Sequence, residues 1–297
     1  MMSENYKIYS GYVALAVIWG STWLVIKIGL ESFTPLFSAG VRFLIAALTI
    51  FIVLRIRSIK LQRDPIAVRL YLFMGLFSFY IPFGLVYWGE QFVNSGLASV
   101  LFAVYPFAVA GVSSFLIPEE KVSREKIAGM VFGFSGIILI FWDDFNFNFS
   151  NQMLGMLAIV TSALMQSTVV VAVKKWGNHL NSFSMNFVPM AIAGILFTLS
   201  GVLFEDYSYN KWDLKGLASI AYLGIFGSVV TFTTYYWILK RINVVLLSLL
   251  TFITPIVALL LGWIFYGEQL KPNQYAGSAL VCAGILIANL FNSLKKS

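Results

Sequence analysis

Lys27, Arg42 and Glu90 stand out because each falls inside or at the edge of a long apolar run, where charge is costly. Arg42 lies about seven residues into the run 35–54, roughly 10 Å along a helix rising 1.5 Å per residue. A guanidinium fork at that depth either binds a substrate carboxylate or phosphate, whose geometry it matches, or is a structural cation satisfied by Glu31, Glu90 or loop carbonyls. Lys27 sits about one turn from the end of the run 11–30, so it either snorkels to the interface or serves as a binding cation. Glu90 is the single carboxylate bordering an apolar run rather than lying in an obvious loop. It is the one candidate for proton coupling, with an interfacial acid as the plainer alternative.

Around these charges stand residues suited to a binding cavity: Trp19 and Trp23, Tyr80 and Tyr87, Tyr105, and Tyr235 and Trp237. Aromatic walls carrying a few hydroxyls suit small amphipathic ligands or ammonium groups. Gln166, Ser167, Ser99, Ser248 and Thr251 are the candidate hydrogen-bonding groups. Interfacial belts and ordinary helix packing use the same residue types. Pro106 and Pro255 fall near the middle of their runs and predict kinks at a central cavity. Catalysis and cofactors find little support. The sole histidine, His179, falls in a loop, no aspartate lies mid-run, and no Walker A sequence occurs. The single cysteine, Cys282, excludes an internal disulfide or a cysteine-based metal site and is expected to be a small buried residue.

The elements that must position these groups follow from composition. The chain has 297 residues, 59% hydrophobic and 11% charged, with a mean hydropathy of +0.84. Soluble domains carry roughly 25% charged residues, so lipid must be the solvent for most of this chain. Runs of about 20 apolar residues, the length a helix needs to cross a bilayer, fall at 11–30, 35–54, 68–89, 95–117 and 125–142. Five more fall at 152–173, 182–204, 214–239, 244–266 and 273–292. Their unbroken apolarity argues against the in–out alternation of a β-barrel. The first run exceeds a signal-peptide core and lacks an A-x-A site, so it is read as a retained helix.

The net charge of +7 is explained by topology rather than by nucleic acid. Placed on alternate sides, Lys7, Arg55, Arg57, Lys60, Arg63, Arg69, Lys121, Arg124 and Lys126 share one face with Lys174, Lys175, Lys240, Arg241, Lys295 and Lys296. The other face receives Lys211, Lys215 and Lys271. Fifteen against three puts both termini in the cytoplasm and requires an even number of spans.

The two halves also match each other. Tyr87-Trp88 recurs 149 positions later as Tyr236-Trp237, and Asn94, Ser99 and Pro106 recur as Asn243, Ser248 and Pro255. At a shift of 148, Glu120, Ala128-Gly129 and Gly136 recur as Glu268, Ala276-Gly277 and Gly284. Ser21-Thr22 with Ser167-Thr168 is a weaker pair. Five spans per half is an odd number, so the second copy must cross in the opposite sense, as in secondary transporters. The expected fold is all-α, with ten transmembrane helices as two inverted five-helix repeats over 1–145 and 146–297.

Several stretches resemble the EamA family of the drug/metabolite transporter superfamily. In the first half they are Trp19-Gly20-Ser21, Pro35, Arg42-Phe43, Ala46-Ala47, Ala98-Ser99-Val100-Leu101, Pro106, Glu120 and Ala128-Gly129. The second half adds Ser248-Leu249-Leu250, Pro255-Ile256-Val257-Ala258-Leu259-Leu260, Gly267-Glu268, Gln274, Gly277 and Gly284. Where relatives often carry Trp-Ala in the sixth helix, this chain reads Ala163-Leu164-Met165-Gln166-Ser167. The resemblance implies outward transport of a small metabolite, such as an amino acid, by a multi-pass protein of a bacterial inner membrane. It also favours a structural Arg42, since the family keeps that arginine across varied substrates. The alternative is import or exchange of phosphorylated or nucleotide-linked sugars on Lys27 and Arg42. The expected partners are a small-molecule substrate and the bilayer, without nucleic acid or cofactor. Gly129-x-x-x-Gly133 permits close helix approach, either within the bundle or in a homodimer.

Overall fold

The computed structural model describes residues 4–93, 95–119, 122–140, 142, 151–266 and 272–294, and among these every regular element is a helix. Asn94, Glu120, Lys121, Gly267, Glu268, Lys271, Lys295 and Lys296 lie outside the described residues.

The first half contains α1 (Glu4–Leu30), α2 (Pro35–Ile56), α3 (Pro65–Met74), α4 (Ile81–Gly89), α5 (Ser95–Phe102), α6 (Tyr105–Leu116) and α7 (Arg124–Ile140). The second contains α8 (Asn151–Trp176), α9 (Ser184–Phe204), α10 (Leu214–Gly224), α11 (Thr231–Leu239), α12 (Val244–Ser248), α13 (Thr254–Tyr266) and α14 (Pro272–Leu294). Helix starts are set by capping. Asp64 accepts from the Ala67 N–H with Pro65 in the first turn of α3, Asp213 accepts from Gly216 below α10, and Asn243 accepts from Val245 and Leu246 below α12. The N-terminus of α2 is capped from a distant loop: the Glu205 carboxylate accepts from the Leu36 and Phe37 N–H groups at 2.7 and 2.9 Å.

Two kinds of interruption recur in the two halves. Wider π-helical turns over Gly75–Tyr80 and Ile225–Val230 join α3 to α4 and α10 to α11. A break at Ala103–Val104 separates α5 from α6, and a 3₁₀ stretch, Leu249–Phe252, separates α12 from α13. The expected mid-run kinks therefore take the form of restarts. Pro106 and Pro255 each stand in the first turn of the new helix, where a missing N–H goes unused.

Seven continuous helical runs among the described residues are long and apolar enough to cross a membrane: Glu4–Leu30, Pro35–Ile56, Pro65–Gly89, Ser95–Leu116, Asn151–Trp176, Ser184–Phe204 and Leu214–Leu239. Val244–Ala258 and Tyr275–Gly284 are shorter apolar stretches. Apolar side chains such as Leu48, Ile52, Leu199 and Leu203 face outward, as lipid contact requires. Cys282 is also exposed on α14, which corrects the expected burial. In a lipid-facing helix the outside is as apolar as the inside, so an apolar neighbourhood does not report depth.

Inside, α2 packs along α9 and α7 along α14. Helix α1 lies against α10, α11 and α13, while α8 lies against α4, α5 and α6. Gly129 and Gly133 belong to the α7–α14 contact and to a contact with Phe252, so this motif is used within the bundle.

Candidate functional site

A cavity opens at the centre of this packing, about 840 Å³ when the open solvent at its mouth is included. One face of α1 enters it through Trp19, Thr22, Trp23 and Ile26, at the i, i+3, i+4, i+7 spacing of a single helix stripe. Trp19 meets Phe232 and Tyr235 with ring centroids 5.3 and 5.1 Å apart, and Trp23 meets Phe102 at 5.5 Å. Phe102 in turn stacks on Tyr105 at 5.6 Å, and the Tyr105 and Tyr235 hydroxyls share a hydrogen bond of 3.0 Å.

Arg42 is the one charged residue lining this cavity among the described residues. It is 2% exposed, and no carboxylate lies within ion-pair distance among the described residues. The chain instead holds it with neutral groups. Nε donates to Ser228 Oγ at 2.9 Å, Nη2 to the Gly227 carbonyl at 3.2 Å, and Nη1 to Tyr87 Oη at 3.3 Å. The guanidinium carbon also lies 4.9 Å from the Phe83 ring centroid and 5.3 Å from that of Phe43. The Gly227 and Ser228 contacts come from the π turn, so the irregularity of that helix supplies the arginine's cradle. Three contacts use three of five N–H donors, leaving a cation that is oriented but not neutralised.

The hydroxyls at the site are also oriented. Thr22 donates to the Trp19 carbonyl, Ser248 to Val245, Thr251 to Ser248 and Thr254 to Thr251. With their hydrogens spent on backbone, these oxygens face a ligand as acceptors. Gln166 completes the polar set and donates to Ser162 Oγ at 3.1 Å.

The structure thus brings together Trp19, Trp23, Arg42, Tyr105, Gln166, Tyr235, Ser248 and Thr251 from the sequence candidates. It places others elsewhere. Tyr80 pairs with Ser200 at 2.6 Å, Ser99 donates to the Gly96 carbonyl, and Trp237 lies under the Arg241 guanidinium, lining a separate pocket with Asn181, Ser182 and Thr233. Tyr87 stands fully buried behind Arg42. Lys27 does not line the cavity. Its ammonium caps the end of α4, donating to the Glu90 and Val93 carbonyls at 2.5 and 3.4 Å. Glu90 itself is fully buried, and neither carboxylate oxygen has a hydrogen-bond partner among the described residues. Phe83 and Phe232, missed in the sequence, line the cavity 149 positions apart, and so carry the same repeat shift as Tyr87 and Tyr236.

Comparison with known proteins agrees with this architecture. The EamA-like transporter family matches residues 7–142 and again 153–290. The uncharacterized transporter YoaV of Bacillus subtilis (strain 168) is 28% identical over 290 residues, covering 98% of this chain and 99% of its own. Protein PagO of Salmonella typhimurium is 30% identical over 264 residues, covering 89% of this chain and 86% of its own. The uncharacterized inner membrane transporter YedA of Escherichia coli (strain K12) is 27% identical over 290 residues. A solved crystal structure, 20% identical, superposes with a TM-score of 0.81 over 96% of this chain and 98% of its own, sharing the fold. With family matches over both halves and helices built to cross a bilayer, the chain belongs to the EamA-like transporter family and is a multi-pass integral membrane protein.

Proposed function

We propose that the chain is a secondary transporter exporting a small amphipathic metabolite that carries a carboxylate and hydrogen-bond donors, an amino acid or close relative. The observation that carries this reading is Arg42, a buried cation without a carboxylate partner among the described residues, set in an aromatic cavity. The carboxylate meets the two remaining guanidinium donors, the apolar body meets the rings, and the donor group meets the acceptor oxygens of Ser248, Thr251 and Thr254. A phosphorylated or nucleotide-linked sugar fits less well. It would need a second cavity cation, and Lys27 is spent on helix-terminal carbonyls.

Alternating access between two inverted five-helix halves supplies the mechanism. Several correspondences support it. Lys27 of α1 caps the end of α4, and Lys174 of α8 caps the end of α11, donating to the Leu239 and Ile242 carbonyls at 2.6 and 2.8 Å. Exchanging the halves also exchanges the packing of α1 on α11 and α13 with that of α8 on α4 and α6, and leaves the α2–α9 and α7–α14 pairs unchanged. Phe102 and Tyr105 in the cavity correspond to Thr251 and Thr254 at the shift of 149.

The test is uptake into proteoliposomes. Labelled phenylalanine is expected to move and phenylalaninamide, which lacks the carboxylate, is not. Transport of choline or glucose 6-phosphate without phenylalanine would reject the reading. Orientation is read separately in a Cys282→Ser background on intact cells. A cysteine replacing Lys211 is expected to react with an impermeant maleimide, and one replacing Lys60 to be protected. The reverse pattern would overturn cytoplasmic termini in the inner membrane.

A further inference from the structure

We propose that Glu90 is a proton-binding site coupled to the ligand cavity through Tyr87 and Arg42, so that a proton and the carboxylate ligand are carried together. This rests on the transporter reading above and specifies the ion that accompanies its substrate.

Glu90 sits at the end of α4 with no exposure, and both carboxylate oxygens lack a hydrogen-bond partner among the described residues. An ionised carboxylate left unpartnered in such a place is strongly disfavoured, and uptake of a proton is the usual relief. The charged groups facing it are Lys27 on α1 and Arg42 on α2, both within electrostatic reach, with the Tyr87 phenol on its own helix. Neither cation makes a hydrogen bond to the carboxylate. Lys27 is turned onto backbone carbonyls, and Arg42 onto Ser228, Gly227 and Tyr87. Helix α8, packed on this end of α4, presents Gly155 and Ile159 to Gly89 and brings no titratable group there.

The two halves build the same lysine cap with different residues at the capped position. In the second half Lys174 makes the same cap on the end of α11, yet the position matching Glu90, 149 residues on, is Leu239. The cap forms with leucine there. Of these two matched positions only the first carries a carboxylate, and it stands within electrostatic reach of the cavity's cation.

Arg42 touches both sites: it lines the cavity and, through Tyr87, lies toward Glu90. A ligand carboxylate on the guanidinium cancels part of the positive field at Glu90 and so raises its affinity for a proton. A protonated Glu90 in turn leaves more of that field to the ligand. Linkage makes the two effects equal, so proton and ligand load together. No bond other than that of the transferred proton is made or broken, and the proton comes from and returns to water. Export down the metabolite's own gradient then takes a proton out with it.

The experiment is an infrared titration of the purified full-length protein in lipid nanodiscs, following the carbonyl stretch of a protonated carboxylic acid between about pH 5 and 9. The wild type is expected to show such a band, and Glu90→Gln, a near-isosteric change, to lose it. Arg42→Gln is expected to raise the midpoint by about one pH unit, because it removes a nearby positive charge. Phenylalanine at saturation is expected to raise it likewise. A wild-type band that is missing, or that survives Glu90→Gln, overturns the site. A midpoint unmoved in Arg42→Gln overturns the coupling. If Arg42→Gln moves the midpoint while phenylalanine does not, the coupled site stands and the assigned substrate class fails. Lys27→Met separates folding from titration, since it disturbs the cap while leaving the carboxylate; its band is expected to persist with a raised midpoint.

Discussion

Arg42→Gln is expected to weaken phenylalanine binding about thirtyfold and to leave phenylalaninamide binding unchanged. Hydrogen bonds to a charged group contribute roughly 1.5–3 kcal/mol when one partner is removed, and about 2 kcal/mol corresponds to a factor near thirty. The selectivity between the two ligands matters more than the size of the loss. Arg42 also holds Ser228, the Gly227 carbonyl and Tyr87, so removing it strands three buried polar groups and lowers stability as well. A general loosening of the cavity would weaken both ligands together, whereas loss of a carboxylate clamp weakens one. Arg42→Lys keeps the charge and loses the fork, so an intermediate affinity is expected. Calorimetric titration of the purified protein below its unfolding temperature checks all three values. Equal losses for the acid and the amide would return Arg42 to the purely structural role that the family resemblance favoured.

How much of this could be read in the sequence depended on whether the signal was periodic or spatial. Apolar runs and the 149-residue shift are periodic, so the helices and the pairing of Tyr87 with Tyr236 were open to inspection. Carrying that shift one turn toward the N-terminus pairs Phe83 with Phe232, both of which line the cavity. The fate of Lys27 was not legible. A lysine one turn from a helix end looks the same whether it snorkels to water or caps a neighbouring helix, and the carbonyls it meets lie 63 and 66 residues away. The π turns were also hidden, since they follow from how a helix fits its neighbours rather than from any residue type. Ser228 and Gly227 had no sequence mark as the cradle of Arg42 for the same reason. Tyr80 and Trp237 were drawn toward the cavity by residue type alone, and their helices turn them away from it.

Gly136→Ala is expected to destabilise the protein by about 1–3 kcal/mol, the range for inserting a methyl group into a packed interface. An added Cβ at Gly136 would lie 2.5 Å from the Gly277 carbonyl oxygen and 2.9 Å from the Val281 nitrogen. At Gly284 it would meet the Gly129 oxygen at 2.5 Å and the Gly133 nitrogen at 2.7 Å. All four obstacles are backbone atoms, so no rotamer change relieves them and α7 must move away from α14. Within a bilayer such close approach is itself the source of helix association, because lipid is as apolar as leucine and drives nothing together. The two substitutions act on one interface, so the double variant is expected to cost less than the sum, the first having already parted the helices. Gly111→Ala is the control. A Cβ there meets nothing within 4 Å, and alanine gains up to about 1 kcal/mol in helix propensity. Equilibrium unfolding in mixed micelles of Gly136→Ala, Gly284→Ala, their double variant and Gly111→Ala gives the four values, and an unaltered Gly136→Ala would mean that α7 and α14 are not in this contact. Among the described residues neither helix contributes to the cavity lining, so the folded fraction of Gly136→Ala should bind phenylalanine normally. Arg42→Gln does the opposite, altering ligand choice beyond its effect on stability, and that contrast separates the seam that holds the bundle from the site that reads the substrate.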